Sequence, residues 1–134
     1  MPHFFVEYSA NLEDAIEIDA LFETLHREAA ATGVFPLGGI RSRGVKVAQY
    51  RIADGHPDNS FVHLVIRVGH GRDVETLHKA GAVLFAVVTD HLAKAFQTRP
   101  LAISMEMQEI HPTLTFKKNN LHEYVKARSK SDAA

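Results

Sequence analysis

The sequence predicts an α+β fold in which two βαβ repeats form a four-stranded mixed sheet with two helices on one face. Two observations predict it. Segments in which apolar residues alternate with a period of two are separated by segments with helical spacing. The order strand–helix–strand also occurs twice, at an offset of roughly 60 residues. We therefore expect one domain at 1–125, with repeats at about 2–52 and 60–110 and a C-terminal arm at 111–125, followed by a disordered tail at 126–134.

The first repeat starts with an aromatic and β-branched segment, His3 to Tyr8, that is typical of a strand. A helical region follows between Asn11 and Ala31, with Asp19 as a candidate N-cap and Gly33 as a candidate C′ residue. Its apolar face is formed by residues at helical spacing: Ile18, Phe22, Leu25 and Ala29. A second strand is expected from about Ile40 to Ile52.

The second repeat follows a polar loop and has the clearer pattern. From Phe61 to Gly69 apolar residues alternate with others, which predicts a half-buried strand. A long helix is expected from Asp73 to Gln97, because apolar residues recur there at helical spacing. A fourth strand is expected from Leu101 to Gln108. Each crossover should be right-handed, so the two strands within each repeat should be parallel.

One face of the predicted sheet has no covering layer. The helices cover the other face, yet this one carries Phe5, Phe61 and His63. A large apolar face of this kind predicts self-association. The segment from Thr113 to Val125 is expected to form a short apolar strand and a brief helix that pack on a neighbouring subunit.

Composition excludes several classes of function. The 134 residues carry a formal net charge of −1, so no global field favours nucleic acid or an acidic membrane. The absence of cysteine excludes disulfides and thiolate chemistry. The longest apolar stretch, Ala80 to Val88, is too short to cross a bilayer, and no signal peptide is recognisable. We expect a cytoplasmic protein without a nucleic acid or membrane partner.

The histidines do not indicate a metal site. None of the nine is paired with another at HxxxH or HExxH spacing. The sequence also has no nucleophile elbow and no phosphate-binding glycine signature. We therefore expect neither a metal nor an organic cofactor.

The most informative residue is Pro2, which follows Met1 directly and precedes the first strand. Removal of Met1 would leave a secondary amine at the end of a sheet. An α-amino group titrates near roughly 7.7–8.0, and apolar surroundings or nearby cations lower that pKa further. Pro2 shares its strand face with Phe4, Val6 and Tyr8, so its amine is a candidate general base at neutral pH. The alternative is a chain start without a chemical role, and a retained Met1 would convert the amine into an inert amide.

Arg41 and Arg43 are candidate anion ligands. They lie two residues apart on a predicted strand, so their side chains point to the same face and together suit carboxylates. The alternative is a solvated strand edge, where basic residues deter aggregation.

Arg72 is a third candidate anion ligand. It follows Gly69–Gly71, between a strand and a helix N-terminus, where backbone N–H groups favour anions. A cation in that position opposes the helix dipole, so Arg72 is unfavourable for stability alone. The alternative is a simple ion pair with Asp73 or Glu75.

Glu106 and Glu109 could supply a second acid–base group. The alternative for each is a carboxylate that only faces solvent from an outward position on the fourth strand. Pro2 therefore remains the main candidate for proton transfer.

Several short motifs, taken together, are specific enough to indicate a protein family. They are Pro2-His3-Phe4, the ATGVFPL of 31–37, the GIRSR of 39–43, the ADG of 53–55, the FVH of 61–63, Gly71-Arg72, the HPTL of 111–114 with the FK of 116–117, and Asn119-Asn120. A chain with these motifs resembles the tautomerase superfamily, in which an amino-terminal proline is the catalytic base. More narrowly, it resembles the 5-carboxymethyl-2-hydroxymuconate Δ-isomerase family. The resemblance covers nearly the whole chain up to about Val125.

The resemblance implies an isomerase of aromatic catabolism, in the breakdown of homoprotocatechuate. It implies a homotrimer, with the sheets as inner wall and a C-terminal segment that reaches a neighbour. Pro2 would move a proton of a small polycarboxylate substrate, and Arg41 and Arg72 would bind its carboxylates, with Arg43 as a lesser candidate. No cofactor is implied.

Two alternatives stay open. A superfamily enzyme with another substrate, such as a phenylpyruvate-type tautomerase or a dehalogenase, would share Pro2. A non-catalytic trimer that binds a ligand would be favoured by a retained Met1, because a blocked amine cannot act as a base.

Overall fold

A computed structural model describes residues 2–133 and has the expected α+β architecture. Its sheet has the strand order β2-β1-β3-β4. The strands are β1 His3–Ser9, β2 Arg41–Val47, β3 Ser60–Val68 and β4 Leu101–Glu109. Strands β1 and β2 are parallel, β3 and β4 are parallel, and the central pair β1–β3 is antiparallel. The two βαβ repeats are therefore joined through their first strands.

The predicted long helices are present but interrupted. The helices are α1 Glu13–Ile16, α2 Ile18–Ala31, α3 Val74–His91, α4 Ala93–Thr98 and α5 Leu121–Ala133, with 3₁₀ turns at Ala10–Leu12 and Leu37–Gly39. Glu17 separates α1 from α2 because it adopts a left-handed conformation with φ of 44°. Glu17 is therefore the N-cap of α2, and the expectation for Asp19 is wrong. Leu92 separates α3 from α4.

Gly33 ends α2 as expected. Its φ is 76°, a left-handed conformation that glycine adopts without a side-chain clash, and its N–H donates to the carbonyl of Ala30 at 3.1 Å. This turn redirects the chain toward the 3₁₀ turn that precedes β2.

The core lies between one face of the sheet and helices α2 and α3. Alternate residues of the central strands point into it and are fully buried: Phe4, Val6, Val62, Leu64 and Ile66. The helices supply Leu21, Leu25, Leu84 and Val88. Full burial of a large apolar side chain contributes about 1.5–3 kcal/mol, so this layer is a main stabilising part of the fold.

The opposite face of the sheet, called here the open face, has no helix packed on it among the residues that the structure describes. The strand register sets three of its rows: Arg41–His3–Arg67, Arg43–Phe5–Val65 and Val45–Glu7–His63. This face is thus basic in its first row and contains partly exposed aromatic rings further along.

Strand β2 is shorter than expected. It ends at Val47, because Val47 pairs with Ser9, the last residue of its partner β1. Beyond that point the chain forms a loop, in which the Asn59 side chain donates to the carbonyl of Ile52 at 3.0 Å and to the Asp54 carboxylate at 2.8 Å.

The C-terminal part differs from the expectation in two respects. Residues 113–120 form no strand, and the side chains of Leu114 and Phe116 are 74% and 95% exposed. Helix α5 continues to Ala133, whereas a disordered tail was expected from 126. Alanine, lysine and arginine have high helix propensity, and the segment lacks glycine and proline, so its composition is compatible with a helix. Among the described residues, no helix is long and apolar enough to cross a membrane.

Candidate active site

The candidate site lies at the end of the sheet where β1 and β2 begin and β3 and β4 end, called here the Pro2 end. Pro2 is buried, and its carbonyl accepts a hydrogen bond from the N–H of Arg41 at 3.1 Å. On the other side His3 pairs with Arg67, so the last residues of β3 lie beside the start of β1. The β3–α3 turn, which contains Arg72, therefore begins next to Pro2.

The strand face that Pro2 shares with three apolar residues is buried. Phe4, Val6 and Tyr8 on the same strand face are 0%, 1% and 8% exposed. The ring of His26 meets Phe4 edge-on, with centroids 6.2 Å apart, and its Nε2 lies 2.8 Å from the hydroxyl of Ser42. Burial lowers the pKa of His26. Apolar surroundings disfavour a charged amine in the same way. Met1, whose removal would free the amine of Pro2, lies outside the described residues.

Arg72 is held by backbone carbonyls at the Pro2 end. Its Nη2 donates to the carbonyl of Val34 at 3.0 Å, and its Nη1 donates to that of Gly69 at 3.3 Å. The guanidinium carbon lies 5.2 Å from the centroid of the buried Phe35 ring. These contacts fix the cation between the β3–α3 turn and the segment that precedes β2.

The two alternative partners of Arg72 are engaged elsewhere. The Asp73 carboxylate is the N-cap of α3 and accepts from the N–H of Thr76 at 2.7 Å, which lowers its pKa. Glu75 forms an ion pair with Lys79 at 3.3 Å. Arg72 is thus not simply a member of a local ion pair, and two of its five N–H groups are used by the carbonyls.

Arg41 begins β2 and is half-buried on the open face. Its Nη1 donates to the carbonyl of Gly39 at 3.2 Å, so the side chain is directed back toward the Pro2 end. The structure therefore brings Pro2, Arg41 and Arg72 to the same end of the sheet.

Arg43 is placed differently. Its Nη2 lies 3.0 Å from Nδ1 of His3, and its guanidinium carbon lies 4.2 Å from the centroid of the Phe5 ring. The guanidinium is thus directed across the open face toward β1, and the structure does not gather it with Arg72.

Sequence reasoning assigned no role to His3 or Phe35. His3 lies between the three arginines of the open face, and its pKa is lowered by burial and then by Arg43, Arg41 and Arg67. Strand alternation could have identified His3, since it places His3 on the same face as Phe5 and not Phe4. The position of Phe35 against Arg72 depends on the loop after α2 and has no local sequence signal.

The two glutamates are separated by the alternation of β4. Glu109 ends the strand at the Pro2 end, where its Oε2 lies 3.2 Å from Nδ1 of His70. Glu106 is exposed and accepts from the Gln108 side chain at 2.6 Å. Within the described residues, no group of three or more histidines and carboxylates is arranged to hold a metal ion.

Comparisons with known proteins agree with this architecture. The family model of 5-carboxymethyl-2-hydroxymuconate isomerase matches residues 2–125. The chain is 44% identical, over 94% of its length and 100% of the relative's, to the 5-carboxymethyl-2-hydroxymuconate Delta-isomerase of Escherichia coli. It is 40% identical to the crystal structure of a 5-carboxymethyl-2-hydroxymuconate isomerase from Deinococcus radiodurans R1, with a TM-score of 0.87 over 92% of this chain and 93% of that one.

A more distant structure shares only the fold. This is a fused 4-OT solved as a symmetric trimer, 18% identical, with a TM-score of 0.67 over 88% of this chain and 92% of that one.

The sheet order and the two βαβ repeats define a protein of the tautomerase fold. Several families share this fold, and the family match over residues 2–125 identifies the one to which this chain belongs. The chain belongs to the 5-carboxymethyl-2-hydroxymuconate isomerase family and is an isomerase.

Proposed function

We propose that this protein isomerises 5-carboxymethyl-2-hydroxymuconate in homoprotocatechuate breakdown, with the amine of Pro2 as general base. The observation that carries the proposal is the position of Pro2: it is buried at the start of β1, hydrogen-bonded to the backbone of Arg41, beside the turn that holds Arg72. The family membership supports this choice of substrate.

The reaction requires only proton transfer within one molecule. The uncharged Pro2 nitrogen removes the proton of the 2-hydroxy group of the dienol. A proton then returns from Pro2 to carbon, the double bond moves, and the conjugated 2-oxo product forms. Protons and electrons balance without an oxidant, reductant or cofactor.

The arginines match the charge of this substrate. Arg41 and Arg72 bind carboxylates and stabilise the negative charge that develops on the dienolate. Their positive charges also favour the uncharged form of the amine. Arg43 is a lesser candidate for this role, because its guanidinium is held at His3.

We also propose that the protein works as a cytoplasmic homotrimer. The open face carries partly exposed aromatic residues that no helix in the described part of the chain covers, and Leu114 and Phe116 are exposed on the C-terminal arm. Both features are typical of surfaces that become buried on association. The symmetric trimer of the fused 4-OT has the same fold.

An ultraviolet assay with three substrates tests the proposal. The protein should first be shown by intact mass to begin at Pro2. We expect rapid conversion of 5-carboxymethyl-2-hydroxymuconate, lost after alkylation of the amine, and little activity with enol-phenylpyruvate or 3-chloroacrylate. A preference for either of those two compounds would show that the proposed substrate is wrong. If none of the three compounds were converted, the protein would instead be a binding protein.

A further inference from the structure

The first row of the open face concentrates positive charge in a small area. Arg41, His3 and Arg67 are direct neighbours on β2, β1 and β3, and Arg43 lies one row further along β2. The first row contains no carboxylate: Glu106 on β4 lies at the far end of the Arg43 row, opposite Val65, and Glu7 lies one row beyond, opposite Val45 and His63.

The contact of Arg43 fixes the tautomer of His3. A guanidinium has only donors, so Nδ1 of His3 must accept the hydrogen bond at 3.0 Å. His3 is then neutral, and its proton is on Nε2. The lowered pKa of His3 agrees with a neutral ring.

Phe5 holds both partners in place. The His3 ring is stacked on Phe5 with an interplanar angle of 27°, and the Arg43 guanidinium lies above the same ring. Both groups are therefore ordered before any ligand arrives, which lowers the entropic cost of binding.

The arrangement offers donors for which the described side chains supply no carboxylate partner. His3 presents Nε2–H, and Arg43 and Arg67 present N–H groups. Across residues 2–130, whose side chains the structure describes, no Asp or Glu lies within 4.0 Å of the charged nitrogens of Arg43 or Arg67. A group that only accepts hydrogen bonds and carries negative charge complements this set.

We propose that His3, Arg43 and Arg67 form an oxyanion-binding site on the open face that takes a carboxylate or phosphate group. The site lies on the face to which His3 points, whereas Pro2 and Phe4 point into the helix-covered layer. It does not depend on the proposed isomerase reaction.

Nitrogen NMR of the His3 ring tests the site directly. Protein labelled with ¹⁵N is titrated with inorganic phosphate, with chloride adjusted to keep ionic strength constant. We expect the free protein to show Nε2 protonated and Nδ1 bare, and phosphate to shift the Nε2 signal until it saturates. Protonation on Nδ1, or signals that phosphate leaves unchanged, would overturn the proposal.

Three variants distinguish specific phosphate binding at this site from nonspecific attraction of phosphate to positive charge. The Arg67 side chain is exposed, so the Arg67→Gln variant should fold. Arg43→Gln removes the hydrogen-bond donor to Nδ1 of His3. Each should weaken phosphate binding about tenfold, a loss of about 1.4 kcal/mol. The control Lys79→Gln removes an exposed cation on α3 and should leave binding unchanged. Equal weakening in all three variants would contradict the site.

A turnover assay in phosphate then identifies the source of the anion. Competitive inhibition that Arg67→Gln relieves would assign the site to a carboxylate of the substrate. Binding by NMR without inhibition would assign it to a free anion. Both results support the site, and the NMR result stands whether or not the isomerase assay succeeds.

Discussion

The two ends of the sheet are built from equivalent parts but differ in chemistry. At the Pro2 end, Pro2 directly precedes β1, and the side chains of Arg41 and Arg72 are held by backbone carbonyls. At the opposite end, called here the Ser60 end, Ser60 begins β3 in the position that corresponds to Pro2. Its N–H and its hydroxyl both donate to the carbonyl of Pro100, at 3.0 and 2.5 Å.

The Ser60 end is closed by its own hydrogen bonds. The Ser9 hydroxyl donates to Asn11 at 2.7 Å and accepts from the N–H of Phe61 at 3.0 Å, and the Asn11 amide donates to the carbonyl of Asn59 at 2.7 Å. Arg99 is paired with Asp14 through two contacts of 3.2 Å. The polar groups there satisfy one another, whereas the Pro2 end holds the guanidinium groups of Arg41 and Arg72 on backbone carbonyls. The repeated fold thus provides two similar ends, and the proposed base Pro2 lies at only one of them.

The largest effect should come from Pro2→Ala. A primary amine on a more mobile residue is a poorer base, and a positioned base contributes about 10²–10⁴-fold, so we expect kcat to fall by that order. Steady-state kinetics with 5-carboxymethyl-2-hydroxymuconate measure it.

Ser60→Ala is the matched control at the other end. It removes the hydroxyl bond to Pro100 and should lower the free energy of unfolding by about 0.5–1.5 kcal/mol in urea, with kcat unchanged. If kcat fell equally in both variants, the difference between the two ends would be structural and not chemical.

The next largest effect should come from the arginines. Arg41→Ala and Arg72→Ala should each lower kcat/KM by about 10²–10³-fold, by analogy with the loss of one oxyanion donor. Lys79→Ala serves as the control, since Lys79 pairs only with Glu75 in the described structure. Unchanged kinetics for either arginine variant would assign that arginine to structure.

Gly38→Ala should disturb the C-terminal helix at the Pro2 end. A Cβ on Gly38 would lie 2.9 Å from the backbone of His122, so α5 must move away. We expect a loss of about 1–3 kcal/mol and faster amide hydrogen exchange in α5. Gly33→Ala is the control: it places a side chain at a φ of 76° with no atom nearby, so it should lower stability without changing exchange in α5. Equal exchange in both variants would argue against this packing.

The smallest effect is a pH dependence set by His26. Burial lowers its pKa from 6.5 in the native state, so below pH 6.5 the unfolded chain binds more protons than the folded one. The free energy of unfolding should therefore fall as pH decreases from 6.5 through the native pKa. His26→Gln should flatten this slope in urea titrations, and an unchanged slope would assign the dependence to other groups.

The sequence predicted the architecture because its periodic signals are local. The alternation in β3 and the helical spacing of Leu77, Gly81, Leu84 and Val88 describe the buried face correctly. The helix break at Glu17 was not predicted, because no sequence propensity indicates a left-handed conformation at a residue other than glycine. Tertiary contacts stabilise that conformation. One such contact is that of the His91 ring with the carbonyl of Ile16.

The candidate site was only partly predictable. Pro2 and Arg41 follow from their positions on strands, and the cost of a cation near a helix N-terminus drew attention to Arg72. The partners of Arg72 could not be predicted, because Val34 is 38 residues away in sequence. The separation of Arg43 from Arg41 depends on rotamers, which strand alternation does not determine.

The most direct test compares two preparations of the same chain, one processed to begin at Pro2 and one that retains Met1, each verified by intact mass. Both keep every side chain of the site, and only the processed form has a free proline amine. We predict rapid conversion of 5-carboxymethyl-2-hydroxymuconate by the processed form and almost none by the form with Met1. Equal turnover by the two would contradict catalysis by the Pro2 amine.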